Sequence, residues 1–195
     1  MSTILTLPKP NFDGSMSLEQ TIAVRRSWRD FGSGSLTLEQ IGQLVWAAQG
    51  QDIKSKYRTV PSAGATYPLE LFVATEQGLF HYLLFKHTLE KLIDKDIRSA
   101  IALAAWGQEF IKTAPLTLIF AAEFARTTRR YDQRGIRYVY IEAGHAAQNV
   151  HLQAEALGLG SVAVGAFDDA AISKVLLLPE HLEPVYMVVV GYRRE

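Results

Sequence analysis

The stretch from Ile136 to Phe167, IRYVYIEAGHAAQNVHLQAEALGLGSVAVGAF, limits the possible folds more than any other part of the chain. Val139, Ala143, Ala146, Val150, Ala154 and Leu157 recur at intervals of three and four, which is the spacing of one helical face. The remaining faces are hardly more polar: with the histidines neutral, no formal charge stands between Glu142 and Glu155. A helix apolar nearly all round is buried on several sides, in a large core or at a subunit interface. Ala143, Gly144, Ala146 and Ala147 are small enough for a second backbone to come close. Gly158 ends the helix, and Ser161–Val164 reads as a short buried strand. That strand stops at Gly165, where bare backbone can face a ligand.

Other elements follow from local pattern. Residues 1–16 carry Pro8, Pro10, Asn11 and Gly14 and read as an extended arm, leaving 17–195 as one domain. Ser17 caps a helix that turns Leu18, Ile22 and Val24 inward and runs into RRSWRDF at 25–31. Thr37 and Gln40 form a capping box for a second helix through Ala48, with Leu38, Ile41, Val45 and Ala48 as its stripe and Gly50 as its end. A loop with Lys54, Lys56, Tyr57 and Arg58 leads into PSAGATYP at 61–68. Leu69–Thr75 and Leu79–Phe85 form a hairpin around Glu76-Gln77-Gly78. Helices are expected at Asp96–Ala105, Glu109–Lys112 and Asp168–Leu176, strands at Leu116–Ala121 and Pro184–Tyr192, and a basic helical or irregular segment at Glu123–Arg130. Irregular alternation with a hairpin predicts an α+β chain, a mixed sheet with helices packed on it.

Composition removes several classes of function. Lys+Arg and Asp+Glu balance at 20 each, which gives no footprint for nucleic acid or an acidic membrane. The absence of cysteine removes disulfides, thiolate catalysis and cysteine-ligated metals, and suits a reducing cytoplasm. Apolar runs such as Val185–Val190 are far too short to span a membrane, and MSTILTLPKP lacks the pattern of a signal peptide. A cytoplasmic protein with neither a nucleic-acid nor a membrane partner is expected.

Motifs narrow the chemistry further. Gly158-Leu159-Gly160-Ser161-Val162-Ala163 matches a dinucleotide fingerprint, but it lies between a helix and a strand, the reverse of the order that brings phosphate to a helix N-terminus. Glu142 and His145 have the Glu-x-x-His spacing of di-iron sites, yet no second pair exists, so no metal is expected and His145 reads as a hydrogen-bonded core histidine. Arg25, Arg26 and Arg29 with Ser27 form either an anion site or a solvated helix end; if the helix continues, Arg25 and Arg29 are i,i+4 neighbours. PSAGATYP is either a tight loop before a strand or a place where backbone meets the edge of a planar ligand.

RRSWRDF at 25–31, PSAGATYPLE at 61–70, RYVYIEAGHAAQNVHLQAEALGLGSVAVGAF at 137–167 and EPVYMVVVGYRRE at 183–195 occur in an order that resembles the FMN-dependent nitroreductase superfamily. Within it they look most like the azoline-oxidase branch, often called SagB/ThcOx-type. The resemblance implies an α+β fold with the long central helix at the interface of an obligate homodimer. It also implies two FMN sites, each built by both subunits. By motif match Arg25, Ser27 and Arg29, with Arg26 close by, would hold the phosphate and ribityl chain, and Arg193 would add charge there. Pro61, Ser62, Ala63 and Gly64 would meet the ring from the other subunit, and Val164-Gly165-Ala166 would offer a backbone N–H to flavin N5.

The implied activity is hydride transfer between flavin and NAD(P)H or a small organic substrate. Peptide azoline oxidases of this branch carry a Lys-Tyr pair before the central helix, where this chain has Arg130-Tyr131. Arginine stays protonated and cannot act as a base. No catalytic residue is therefore assigned beyond Arg130 and Tyr131 as candidates for the substrate side, with Trp106 and Phe110 as further aromatic neighbours. Azoline dehydrogenation of a modified peptide and a non-catalytic flavin-binding dimer stand as alternatives.

Overall fold

A computed structural model describes residues 3–51, 55 and 57–194. Lys54 and Lys56, expected in the loop before Tyr57, lie outside the described residues. Seven strands form one sheet: β1 (Ile4–Thr6), β2 (Leu69–Thr75), β3 (Gly78–Leu83), β4 (Thr88–Ile93), β5 (Leu116–Ala122), β6 (Leu159–Val164) and β7 (Glu183–Tyr192). Their order is β1-β4-β3-β2-β5-β7-β6. Every pairing between them is antiparallel, so the parallel component expected of a mixed sheet shrinks to one bridge, Ser27 to Ser161.

Helices cover both faces: α1 (Leu18–Val24), α2 (Leu38–Gln49), α3 (Arg98–Ala104), α4 (Glu109–Thr113), α5 (Phe124–Tyr131), α6 (Arg134–Ala156) and α7 (Asp169–Leu176). Strand β5 shows why the centre of the sheet reads as an unbroken apolar run. Leu116, Leu118 and Phe120 pack on one face with α2 and α6, while Ile119 and Ala121 pack on the other with α3 and α7. A strand buried on both faces loses polar alternation.

The capping boxes of Ser17 with Gln20 and Thr37 with Gln40 are both formed. Three expectations about the first half of the chain need correction. Helix α1 buries Thr21, whereas Leu18, Ile22 and Val24 are exposed, and Leu38 of α2 is exposed as well. Helix α1 also stops at Val24, because Arg25 leaves helical geometry at φ −55°, ψ 124°. Residues 4–6 of the arm form the edge strand β1, which pairs with β4, a strand the sequence pattern did not single out.

The central helix α6 buries Val139, Ala143, Ala146, Val150 and Ala154 in the core. Its outer face, with Tyr140, Ile141, Gly144, His145 and Gln148, is exposed in the single chain. His145 is therefore a surface residue and not the core histidine its apolar surroundings implied.

Candidate functional site

Two groups of expected site residues assemble, at opposite ends of α6. The first is built on residues 25–32, which leave α1 in extended form and attach to the edge of the sheet. Ser27 bridges Ser161, the Trp28 N–H donates to the Ser161 carbonyl at 3.0 Å, and Phe31 bridges Arg193. The i,i+4 helical geometry considered for Arg25 and Arg29 does not form, because the chain leaves the helix at Arg25 and is next attached to β6 at Ser27. Trp28 lies between two guanidinium groups, Arg26 at 4.8 Å and Arg193 at 5.0 Å from its ring centre.

Charge is unevenly satisfied in this group. Arg193 is paired with the buried Glu155 carboxylate and also donates to the Leu159 carbonyl at 2.9 Å. Arg25, Arg26 and Arg29 make no ion pair and no side-chain hydrogen bond among the described residues. Behind them His151, buried, shares a 2.7 Å hydrogen bond between its Nδ1 and the Ser161 hydroxyl. Burial, and secondarily the charge of Arg25, pushes the His151 imidazole down to about 4, so it is neutral at pH 7. An unpaired cationic face over a neutral interior is suited to a multiply charged anion.

Gly160 permits this assembly. A Cβ added there would lie 2.8 Å from Trp28 Cβ and 3.1 Å from Arg193 Cγ, and the first of these atoms sits next to backbone. Gly144, by contrast, has open space around the same position. Gly160→Ala is expected to cost about 1–3 kcal/mol, read as a lower urea midpoint with unchanged slope. A midpoint equal to that of the unmodified protein would show that the 25–32 segment is not held against β6.

The second group surrounds the turn after Pro61. Gly64, Ala65 and Tyr67 all take left-handed backbone angles, at φ of 59°, 53° and 49°. For the two non-glycine residues this conformation is strained and needs support. Support comes from the Ser62 hydroxyl, which accepts the Tyr67 N–H at 2.9 Å, and from Thr66, whose hydroxyl meets that of Thr127 at 2.8 Å. Arg126 donates to the Tyr67 carbonyl at 3.0 Å and Arg130 to the Gly64 carbonyl at 3.2 Å. A Cβ on Gly64 would come within 2.6 Å of the Tyr131 hydroxyl. Pro61–Gly64 and the Arg130-Tyr131 pair, two separate expectations from sequence, therefore meet in one place.

Glu142 of α6, near this turn in the chain's core, is 3% exposed, with Oε1 lacking a hydrogen-bond partner among the described residues. Burial raises its carboxyl to about 7, against the opposing effects of the Ser62 hydrogen bond and the Arg58 charge. Arg58 itself donates to Gln49 Oε1 at 2.6 Å and to the Leu69 carbonyl at 2.9 Å, and stacks 4.8 Å over the Tyr67 ring. Arg58, Glu142, His151 and Glu155 were not recognised as site residues from sequence. The available signal was a pair of glutamates closing an uncharged helical run.

Val164-Gly165-Ala166 lies at the end of β6, on the same strand as Ser161, with Gly165 and Ala166 exposed and the Ala166 carbonyl accepting from Gln108 at 2.8 Å. One strand thus joins the arginine group to this turn. The Pro61–Gly64 turn does not join them: Glu142 and His151 are nine residues apart on α6, roughly 14 Å along its axis. Within one chain the two groups remain separate half-sites. Among the described residues no cluster of histidine and carboxylate side chains is placed to hold a metal ion, and no helix is long and apolar enough to cross a membrane.

Comparison with known proteins places this arrangement. The model described as "Nitroreductase family" matches residues 22–192. The protein named "Putative nitroreductase MJ1384" of Methanocaldococcus jannaschii is 41% identical over 201 aligned positions that span all of both chains. The crystal structure of a Ralstonia eutropha JMP134 protein with the same description superposes with a TM-score of 0.88 at 30% identity, over 98% of this chain and 90% of that one. The microcin B17-processing protein McbC of Escherichia coli is 28% identical over 155 residues, 74% of this chain and 56% of McbC.

Proposed function

The chain belongs to the nitroreductase family of FMN-dependent oxidoreductases, and from that premise we propose that it works as a homodimer with two FMN sites, each completed by both subunits. The observation that carries this reading is the set of three arginines, Arg25, Arg26 and Arg29, that make no ion pair among the described residues, beside a strand that ends in an exposed backbone turn. A phosphate dianion is the natural partner of such a group, and several charge-assisted hydrogen bonds of about 1.5–3 kcal/mol each are enough to anchor one.

In this reading Arg25, Ser27 and Arg29 hold the phosphate and ribityl chain. Arg193, its charge balanced by Glu155, acts mainly by fixing Trp28 and the 25–32 segment. The Val164-Gly165-Ala166 backbone faces the ring edge, with an N–H toward N5. Pro61, Ser62, Ala63 and Gly64 come from the other subunit. The bound flavin supplies the redox chemistry, exchanging hydride with NAD(P)H or with an organic substrate. The protein's part is to position both and exclude water. Arg130 and Tyr131, close to Gly64, border the substrate side. Arg130 stays charged and donates hydrogen bonds without acting as a base. A cytoplasmic setting fits a chain with no cysteine.

Similarity to McbC supports a second reading, a SagB-type dehydrogenase acting on an azoline within a modified peptide. The Arg130-Tyr131 pair weighs against it, since that place then lacks a lysine able to release and accept a proton. A flavin-binding dimer without turnover is the third.

The test compares FMN with riboflavin, which lacks the phosphate. The purified protein is expected to show the two visible bands of oxidised flavin and to bind FMN far more tightly than riboflavin. Arg25→Ala with Arg29→Ala is expected to weaken FMN binding by about 10²–10⁴-fold and to leave riboflavin binding nearly unchanged. A protein that binds neither flavin sinks the proposal. Consumption of NAD(P)H by the loaded protein then favours the first reading over the second.

A further inference from the structure

Of the basic segment between Glu123 and Glu142, the flavin reading uses only Arg130 and Tyr131. Five arginines, Arg126, Arg129, Arg130, Arg134 and Arg137, stand there against a single carboxylate, Asp132, in a chain whose charges balance at 20 each. Arg126 is committed to Glu70 and Glu123, at 2.7 Å from each. Arg129, Arg130, Arg134 and Arg137 are exposed and make no ion pair among the described residues, and Asp132 is exposed as well. The fold gathers these four at one corner. The chain reverses between α5 and α6 at Asp132, which takes a left-handed φ of 48°, donates its N–H to the Thr128 carbonyl at 2.7 Å and accepts the Gly135 N–H on its own carbonyl at 3.0 Å. Gly135 lets the two helices touch, since a Cβ there would lie 2.9 Å from Thr128 Cα.

A solvated basic helix end does not account for this corner. Arg129 and Arg130 close α5, where cations suit the helix dipole, but Arg134 and Arg137 open α6, where they oppose it, and no acidic residue stands in that turn. Cations crowded at the unfavourable end of a helix weaken the free protein and are relieved by a bound anion. Arg134 and Arg137, three residues apart, are neighbours on the helix surface, and two guanidinium forks match the oxygens of a phosphate monoester. The corner also carries aromatic surface. Tyr131 and Tyr138, both half-buried, meet edge to face with ring centres 5.2 Å apart, and the Arg130 guanidinium lies 5.5 Å from the Tyr131 ring. Arginines for phosphate beside an aromatic pair for a base are the two elements that recognise a nucleotide. Arg130 donates to the Gly64 carbonyl at 3.2 Å, so the corner borders the turn assigned to the flavin ring.

We propose that Arg129, Arg134 and Arg137 bind the adenosine 2′-phosphate of NADPH, with Tyr131 and Tyr138 against its adenine, and so make NADPH the preferred reductant over NADH. The inference rests on the reading in which the Pro61–Gly64 turn faces a flavin. A reduced nicotinamide lays its ring on the flavin to pass hydride, which leaves its adenosine end outside the ring site, and the two dinucleotides differ only in that phosphate. An acidic peptide meets the charges equally well but makes no use of the aromatic pair.

The experiment is calorimetric and needs no turnover: the full-length protein is titrated with adenosine 2′,5′-bisphosphate and, separately, with adenosine 5′-monophosphate. The bisphosphate is expected to bind about 10–100-fold more tightly at low salt and to lose most of that advantage at high salt. In Arg134→Gln with Arg137→Gln the advantage is expected to shrink to about threefold or less. With FMN bound, the ratio of kcat/KM for NADPH to that for NADH is expected to fall about 10–100-fold in the same double variant. Equal affinity of the unmodified protein for the two nucleotides overturns the inference whether or not the variant folds. A preference that survives the double substitution overturns it too. So does a hexaglutamate peptide that binds more tightly than the bisphosphate, which assigns the corner to an acidic protein partner. If FMN does not bind, the cofactor proposal fails by itself, and the preference for the 2′-phosphate is still read from the titrations.

Discussion

Gly144→Arg is expected to yield a monomer that folds normally and retains no FMN. Gly144 is exposed on the outer face of α6, and nothing lies within 4 Å of where its Cβ would be. In the single chain the replacement meets no obstacle and removes a glycine from a helix interior, a gain of up to about 1 kcal/mol. On an interface the result is opposite. Small residues let a second backbone approach, and a guanidinium inserted there holds it off and is itself stripped of water. The surroundings fit an interface. Tyr140 and Ile141 are 53% and 47% exposed, and α1, packed on α6, leaves Leu18 and Ile22 more than half exposed at 59% and 58%. Large apolar side chains left open along one chain are what a contact surface is expected to present. Sedimentation equilibrium and flavin absorbance read the two effects separately. A dimer that keeps its flavin despite Gly144→Arg refutes the placement of α6 at the interface, and Gly144→Ala serves as the mild control.

The second large effect is a cancellation in the pH dependence of stability. His151 has its acid constant depressed by burial to about 4. The unfolded chain takes up a proton there that the folded chain refuses, so stability present above pH 6.5 is lost as pH falls toward 4. Glu142, raised by burial to about 7, behaves in the opposite sense. Its contribution is intact below the ordinary glutamate value near 4.5 and is lost as pH rises to 7. Each group spans roughly 2.5 pH units, equivalent to about 3 kcal/mol at most. Between pH 4.5 and 6.5 the two slopes, each about 1.4 kcal/mol per pH unit, oppose each other, and the unmodified protein is expected to have a slope between those of the two single variants. Glu142→Gln leaves the histidine slope uncovered, so stability climbs with pH across this window. His151→Gln leaves the glutamate slope, so stability declines. His87 is also lowered, chiefly by burial, but it is common to all three proteins and cancels in the comparison. Urea unfolding at several pH values gives the slopes. Parallel curves for the three proteins would show that neither group is held neutral by the fold.

Much of this fold can be read from sequence wherever periodicity and capping agree. Ser17 and Thr37 with glutamines three residues on define two helix starts, and Leu69–Thr75 with Gly78–Leu83 is the hairpin its turn residues predict. Strand β4 was missed because TLEKLI mixes charge with apolar residues, and half of its six positions are only partly buried. The inward assignment of Leu18, Ile22 and Val24 failed for a deeper reason: periodicity reports that a face is apolar and says nothing about what covers it. At the candidate site, residue types were legible and geometry was not. Arg25, Ser27 and Arg29 stood out as an anion-binding set, but the segment that carries them is placed by attachment to β6 through Ser161, a contact across more than 130 residues of chain. His151 gave no readable signal and Glu142 only its place at the end of an uncharged run, because spacing cannot reveal which polar side chains a core will enclose.

The separation of the two half-sites along α6 also has a genetic meaning. If each cofactor is held by the arginine end of one chain and the turn end of another, no chain owns a site, and a defect at either end is shared with the partner. Two alleles, one damaged near Arg25 and the other near Gly64, can then restore one sound site when their products pair. Either allele alone, expressed beside the intact gene, spoils half of the sites in every mixed pair. Inheritance at this locus would follow the pairing of chains as well as the sequence of each.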